Sequence, residues 1–213
     1  MKKILWISPN LNHYKARFLN TLSLEDDISL TVLSGSGREG AGDKYLKKNS
    51  NFKEINVKVN KKSFATSLKV FLLVKEQFSI NEWVMIPAEK KNIILFLFAI
   101  WLRQINPKTK LFSYNHASIK SKNYIFSKLD NLISIFFYNR LDRVIFYNEY
   151  SSKMAISQKL ISHEKAFWAN NTLDNTEINK HYKFCLPPKN TFSILFLGRL
   201  IPSKRLDLFL YYT

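Results

Sequence analysis

The sequence predicts an α/β fold built on a parallel sheet. Short apolar runs of strand length alternate with longer segments of helical period along the 213 residues, the pattern of strands joined by crossover helices. With 46% hydrophobic and 15% aromatic residues the chain can bury a substantial core, which argues against wholesale disorder. No internal repeat or low-complexity tract competes with this reading.

Strands are expected at 3–8, 28–34, 52–59, 83–86, 110–114, 143–146 and 165–168, and helices near 15–22, 63–77, 90–105, 124–139 and 151–159. The opening KKILWIS lacks the long apolar region and small-residue cleavage site of a secretory signal and suits a first strand. Ser63 stands where it can cap the helix that follows. The most apolar run, IILFLFAIWL at 93–102, falls well short of the roughly 20 residues needed to span a bilayer and predicts a buried helix. The clearest helical period lies in 124–139, where Phe126, Leu129, Ile133, Phe136 and Phe137 recur on one face.

Leu186-Pro187-Pro188 contains the single Pro-Pro pair and follows a polar helical stretch, as an interdomain linker would. The expected organisation is one domain over 1–184, a linker at 185–190, and the beginning of a second domain at 191–213. Cys185 is the single cysteine. It excludes an internal disulfide, fits a reducing compartment and is expected to be an inert buried thiol.

Lys and Arg number 33 against 16 Asp and Glu, a formal charge of +17. A field of that sign favours nucleic acid, acidic lipid headgroups or phosphorylated ligands without choosing among them. A solvated, Lys-rich surface accounts for the same number with no partner at all.

In open α/β sheets ligands bind outside the carboxyl ends of the strands. That rule nominates the loop carrying Asn10, Asn12 and His13, the Pro87–Lys90 loop, the Tyr114–Ser118 loop with Asn115 and His116, and the turns with Asn148 and Asn171. Polar residues collected there fit a crevice for carbohydrate or phosphate, though loops are polar in any case. His116 can hydrogen-bond a sugar hydroxyl or donate to a phosphate; the alternative is a histidine that pins its loop. His13 can equally cap the helix after it. No spacing among His, Cys, Asp and Glu suggests a metal site.

GSGREG, from Gly35 to Gly40, formally matches G-x-G-x-x-G. A dinucleotide fingerprint belongs after the first strand and opens into a helix, with an acid ending the next strand. Here the motif follows the second strand, and Glu54 lies inside the third. A surface loop is the expectation. The closing segment FSILFLGRLIPSKRLDLFL points more sharply to a ligand. Gly198 ends a buried strand where a backbone can approach a ligand, Arg199 offers a fork of donors, and Lys204 adds a point charge. Ser203 can cap a helix whose positive end faces the same spot. Together they suggest a diphosphate site.

ILFLGRLIPSKRLDLFL resembles the opening of the second domain in retaining glycosyltransferases with two Rossmann-like domains (the GT-B fold, glycosyltransferase family 4). ILWISPNLNHYKARFLNTLS is similar to the first strand and helix of that family. VIFYNEYSSKMAIS is similar to its sixth strand running into a helix, and WANNTLDNTEI to its Asn-x-x-Asp turn. The resemblance implies a doubly wound, Rossmann-like acceptor-binding domain followed by the start of a donor domain. Gly198, Arg199 and Lys204 would contact the diphosphate of a nucleotide-sugar, an electrostatic role that needs no metal or other cofactor. His116 would lie near the donor sugar in a catalytic position. Asn10, Asn12, His13, Asn115, Asn148 and Asn171 would line the acceptor side of the crevice.

In this family paired glutamates hold the donor sugar and ribose; the region that carries them would follow residue 213. The expectation is therefore a transferase fragment, inactive alone, that acts on a cell-surface polysaccharide or a lipid-linked glycan acceptor. It would sit in the cytoplasm on the inner face of the membrane, its basic surface drawn to anionic lipid. Two alternatives stand beside it: a non-catalytic basic module for membrane or nucleic acid, and one half of a transferase whose C-terminal half is separately encoded. Nucleic acid is not the expected partner, since no recognised binding motif is present and the basic residues are spread along the chain.

Overall fold

The computed structural model describes residues 1–11, 13–36, 51–59, 63–115 and 124–169, with side chains described for all of these except 13, 14 and 124–127. Seven strands form one wholly parallel sheet: β1 (Lys2–Ser8), β2 (Ile28–Gly35), β3 (Lys53–Val57), β4 (Trp83–Met85), β5 (Lys110–Asn115), β6 (Arg143–Phe146) and β7 (Ala166–Trp168). The spatial order is β3-β2-β1-β4-β5-β6-β7. The chain winds outward from β1 to one edge, returns to the middle at β4, and winds out to the other. This is a doubly wound, Rossmann-like sheet whose switch point lies between β1 and β4.

Alternation along each central strand divides the apolar residues between two faces. Leu5 and Ile7 of β1, Val84 of β4, Leu111 of β5, and Val144 and Phe146 of β6 join one core cluster. Trp6, Met85 and Phe112, the intervening residues, join the other, with Ile145 packed against it. Near-continuous apolar runs are what a parallel sheet covered on both faces requires.

Among the described residues five α-helices connect the strands: α1 (His13–Leu22), α2 (Leu68–Phe78), α3 (Ile93–Ile105), α4 (Tyr124–Asn139) and α5 (Glu149–Ser157). α1 packs Ala16 and Leu19 on the Trp6 face. The other four supply the opposite core: Val70, Val74 and Phe78 from α2, Leu95, Phe96, Ala99 and Leu102 from α3, Phe137 and Tyr138 from α4, and Ala155 from α5. Right-handed crossovers put α1 on one side, since β2 lies on one flank of β1, and α3 to α5 on the other, since their strands advance the opposite way.

Two local expectations are corrected. Residues 63–77 are not one helix capped by Ser63. Phe64–Thr66 forms a short 3₁₀ turn without a side-chain cap from Ser63, extended Ser67 (ψ 123°) breaks it, and α2 starts at Leu68. The break lets fully buried Phe64 and the Val70–Val74 row enter the same core. The helix containing IILFLFAIWL is not buried all round either. Leu95, Phe96, Ala99 and Leu102 face the sheet, whereas Ile94, Leu97, Trp101 and Ile105 are exposed. A helix laid on one face of a sheet has only one side to bury, and a run apolar on every side carries no contrast to show which.

The chain divides into two units, Met1–Leu173 and Asp174–Thr213. The expected linker at 185–190 and the Gly198–Lys204 segment lie outside the described residues.

Candidate functional site

A cavity of about 220 Å³ opens at the carboxyl ends of β1, β4, β5 and β6, at the switch point itself. Its β1 wall is Trp6, Ile7, Pro9 and Asn10, with Lys15 from the first turns of α1. The β4 side supplies Met85, Pro87, Glu89, Lys91 and Asn92, while Tyr114 and Tyr147 close it from β5 and the residue after β6.

Side-chain and backbone hydrogen bonds hold the rim in place. Ser8 Oγ donates to the Asn10 carbonyl at 3.0 Å, and Lys15 Nζ donates to the same oxygen at 3.3 Å. Ala88 N–H donates to buried Ser113 Oγ at 3.2 Å, tying the turn after β4 to β5. Tyr147 N–H donates to the Asn115 carbonyl at 3.2 Å, so the two tyrosine-bearing strand ends stay in register. Glu89 pairs with Lys91 and accepts from Asn92 Nδ2 at 3.4 Å.

The aromatic side of the cavity is a linked set of rings. Tyr114 and Tyr147 meet at 4.4 Å, Phe18 stacks on Tyr114 at 5.4 Å with the planes 3° apart, and Trp6 lies 5.6 Å from Tyr114. Burial pushes the Tyr114 phenol above its ordinary range. Burial, then the neighbouring Tyr114 and Glu89, push Tyr147 up to about 12, so both phenols stay neutral near pH 7 and can donate.

Two buried polar atoms of lining residues have no hydrogen-bond partner among the described residues, Trp6 Nε1 and Asn10 Oδ1. An unsatisfied buried donor or acceptor costs about 1–3 kcal/mol. A donor and an acceptor left open beside a cavity mark places where a ligand or water completes the bonding. The lining suits a small polar molecule with an apolar face: it combines the Trp6, Tyr114 and Tyr147 rings with Lys15, Glu89 and Lys91 and the Asn10 and Asn92 amides.

Of the residues nominated from sequence, Asn10 lines the cavity. Asn115 is buried at the end of β5, next to the lining residue Tyr114. Asn148 follows Tyr147, and its Oδ1 caps α5 by accepting from Ser151 N–H at 2.8 Å. His13 begins α1, its side chain undescribed; Asn12, His116, Asn171, Gly198, Arg199 and Lys204 lie outside the described residues. Sequence reasoning missed Trp6, Lys15, Lys91, Asn92 and Tyr147. The lysines were two among 33 basic residues. Tyr147 follows an apolar strand without a polar signal, although alternation from buried Phe146 could have turned it toward the other face. Among the described residues, no three His, Cys, Asp or Glu side chains gather as a metal site. The Gly35 motif resolves in part: Gly35 ends β2 in tight contact with Pro9 and Phe64, and Glu54 Oε1 accepts from Ser34 Oγ at 2.6 Å within the sheet.

No protein-family model matches the sequence, and no curated protein matches it. Several solved structures are similar to part of it. A glycosyltransferase from Rickettsia africae is 14% identical with a TM-score of 0.48, over 84% of this chain and 48% of that one. A dTDP-glucose 4,6-dehydratase from Bacillus anthracis, in complex with NAD, is 15% identical with a TM-score of 0.44, over 68% and 54%. An alcohol dehydrogenase from Comamonas testosteroni is 7% identical with a TM-score of 0.46, over 84% and 90%. The chain thus spans about half the length of the first two. Likeness at this level carries no weight in assigning chemistry.

Proposed function

We propose that this chain is the acceptor-side part of a retaining glycosyltransferase that uses a nucleotide-sugar donor. The observation that carries the reading is the switch-point cavity, where unpartnered Asn10 Oδ1 and Trp6 Nε1 adjoin the Tyr114–Tyr147 rings. A sugar presents hydroxyls to amides and a C–H face to rings. About 220 Å³ is below the span of pockets that hold drug-sized ligands, so the cavity suits one sugar unit rather than a whole nucleotide-sugar. In this reading Glu89 and neutral Tyr147 accept from and donate to acceptor hydroxyls. The donor diphosphate is met by Arg199 and Lys204, with His116 near the transferring sugar. The sequence resemblance supports that division of labour. The acceptor is a cell-surface polysaccharide or glycolipid met at the inner face of a membrane, without a metal. Separate encoding of the donor half fits the same scheme.

Saturation-transfer NMR with a panel of mono- and disaccharides, and separately with nucleotide-sugars, tests this. Saccharide contact is expected and should fall about tenfold or more in Asn10→Ala and Tyr147→Leu, in line with the loss of a buried hydrogen bond and a ring face. Nucleotide-sugar contact should instead depend on Arg199 and Lys204. Absence of saccharide contact, its indifference to Asn10→Ala, or retention on nucleic acid at moderate salt in its place would overturn the reading. Turnover of a nucleotide-sugar by the purified 213-residue chain would overturn its acceptor-side assignment.

A further inference from the structure

The helix layer opposite α1 is apolar on its outer side as well as its inner one. On α3, Ile94, Leu97, Trp101 and Ile105 succeed one another at three- and four-residue steps and stay 47–56% exposed. α2 adds exposed Leu68 and Leu72, one turn apart, and α4 adds exposed Leu129 and Leu132. The three helices pack side by side, Phe71 meeting Phe98 at 4.9 Å and Phe96 meeting Phe137 at 4.6 Å. Their outward rows therefore face away from the sheet together. Trp101 stacks on Phe98 at 5.6 Å, with its ring half-exposed. Single exposed apolar side chains are ordinary, but a group continued over three neighbouring helices marks an interaction surface.

Charge surrounds this group. Exposed Lys69 and Lys75 lie on α2, Lys90 and Lys91 lead into α3, Lys108 follows it, and Lys128 lies on α4. The acids on these elements are Glu76, Glu89 and Asp130, the last two paired with Lys91 and Lys90. A second copy would bring a like-charged surface, on a molecule of formal charge +17, against the same patch, which opposes self-association. Among the described residues no helix is long and apolar enough to cross a membrane. An apolar row with a Trp, bordered by lysines and too short to span, is the composition of a surface that lies in a bilayer interface.

We infer that the outer faces of α2, α3 and α4 form a docking surface for an anionic bilayer, with the Ile94–Ile105 row in the headgroup–acyl boundary and Lys69, Lys75 and Lys108 on the lipid phosphates. The inference rests on the membrane-facing part of the reading above and not on its transferase chemistry.

Flotation with vesicles of phosphatidylcholine, with and without phosphatidylglycerol, tests it on the 213-residue protein. Binding is expected to the phosphatidylglycerol vesicles and to weaken with added salt. Leu97→Gln/Trp101→Gln should lower vesicle affinity about tenfold or more, since two apolar side chains lose their burial. Its saccharide contact in the NMR assay should be unchanged, and its thermal midpoint should fall only by the loss of the Trp101–Phe98 stack. Lys69→Gln/Lys75→Gln should weaken binding and flatten the salt dependence. No binding of the unsubstituted protein to anionic vesicles would overturn the inference, as would full binding by Leu97→Gln/Trp101→Gln. A dimer in sedimentation velocity that this double variant dissolves would also overturn it, making the face a protein interface. Because no sugar enters the vesicle assay, its failure is separable from failure of the transferase reading.

Discussion

Replacing Gly35 by alanine should destabilise the sheet and disturb the cavity together. A Cβ at this position would lie 2.6 Å from the Pro9 carbonyl oxygen, 2.8 Å from Phe64 Cδ2 and 3.1 Å from the Val59 carbonyl oxygen. Real Cβ contacts do not occur below 3.0 Å, so at least two neighbours must shift. Neither has room to yield. The Phe64 ring is fully buried in the larger core, and Pro9 belongs to the turn held by the Ser8 and Lys15 hydrogen bonds to Asn10. Val59 is engaged too, its carbonyl accepting from Ser36 N–H at 3.0 Å. Overpacking of a tight site costs about 1–3 kcal/mol, and three simultaneous contacts place Gly35→Ala in the upper half, at about 2–3 kcal/mol. For a domain of this size that lowers Tm by about 4–12 °C. Calorimetry measures the shift, and denaturant unfolding with an unchanged slope would assign it to the native state. Saccharide affinity should fall as well, because relief of the clash moves Pro9 and with it Asn10. An unchanged Tm would refute the packing at the end of β2, and with it the account of how β1 and β2 place the rim.

Other substitutions probe separate devices. Asn148→Ala removes the cap of α5 and should cost about 1 kcal/mol in denaturant unfolding. Lys159 holds a positive φ of 56° after α5, so Lys159→Gly should stabilise by about 0.5–1 kcal/mol in the same measurement. The Tyr147 phenol is pushed up to about 12, above its unfolded value near 10. The unfolded chain therefore loses that proton first, and the stability tied to the neutral phenol is whole below about pH 10 and lost as pH rises toward 12. An ultraviolet titration should show late-ionising tyrosine absorbance that Tyr147→Phe reduces.

Much of the local structure was legible in the sequence because it is set by short-range periodicity. KKILWIS reads as a strand since alternate residues must reach two cores, and Val70, Val74 and Phe78 fall on one helical face. The exceptions arise where tertiary contacts overrule that period. Phe64 is drawn into the core and splits the predicted 63–77 helix, and α3, apolar on every side, carries no internal signal of which side meets the sheet.

The candidate site was legible only as loops. Strand-end reasoning nominated the segments holding Asn10, Glu89 and Tyr114, since ligands of a parallel sheet gather where the strands end. It could not bring them together. That β1 lies between β2 and β4 is decided by pairings between residues some eighty positions apart, such as Trp6 with Met85, and no local pattern encodes which strands become neighbours. Lys15, Lys91 and Tyr147 become site residues only once that order exists.

By itself, the sequence determined the class of fold, the succession of strands and helices, and the positive charge, because each follows from composition or from a period a few residues long. The tertiary structure alone decided the switch point, the unpartnered polar atoms beside its cavity, the wedge of Gly35 against Pro9 and Phe64, and the exposed side of α3. All of these depend on contacts between distant segments, whose geometry is set by packing the whole sheet at once.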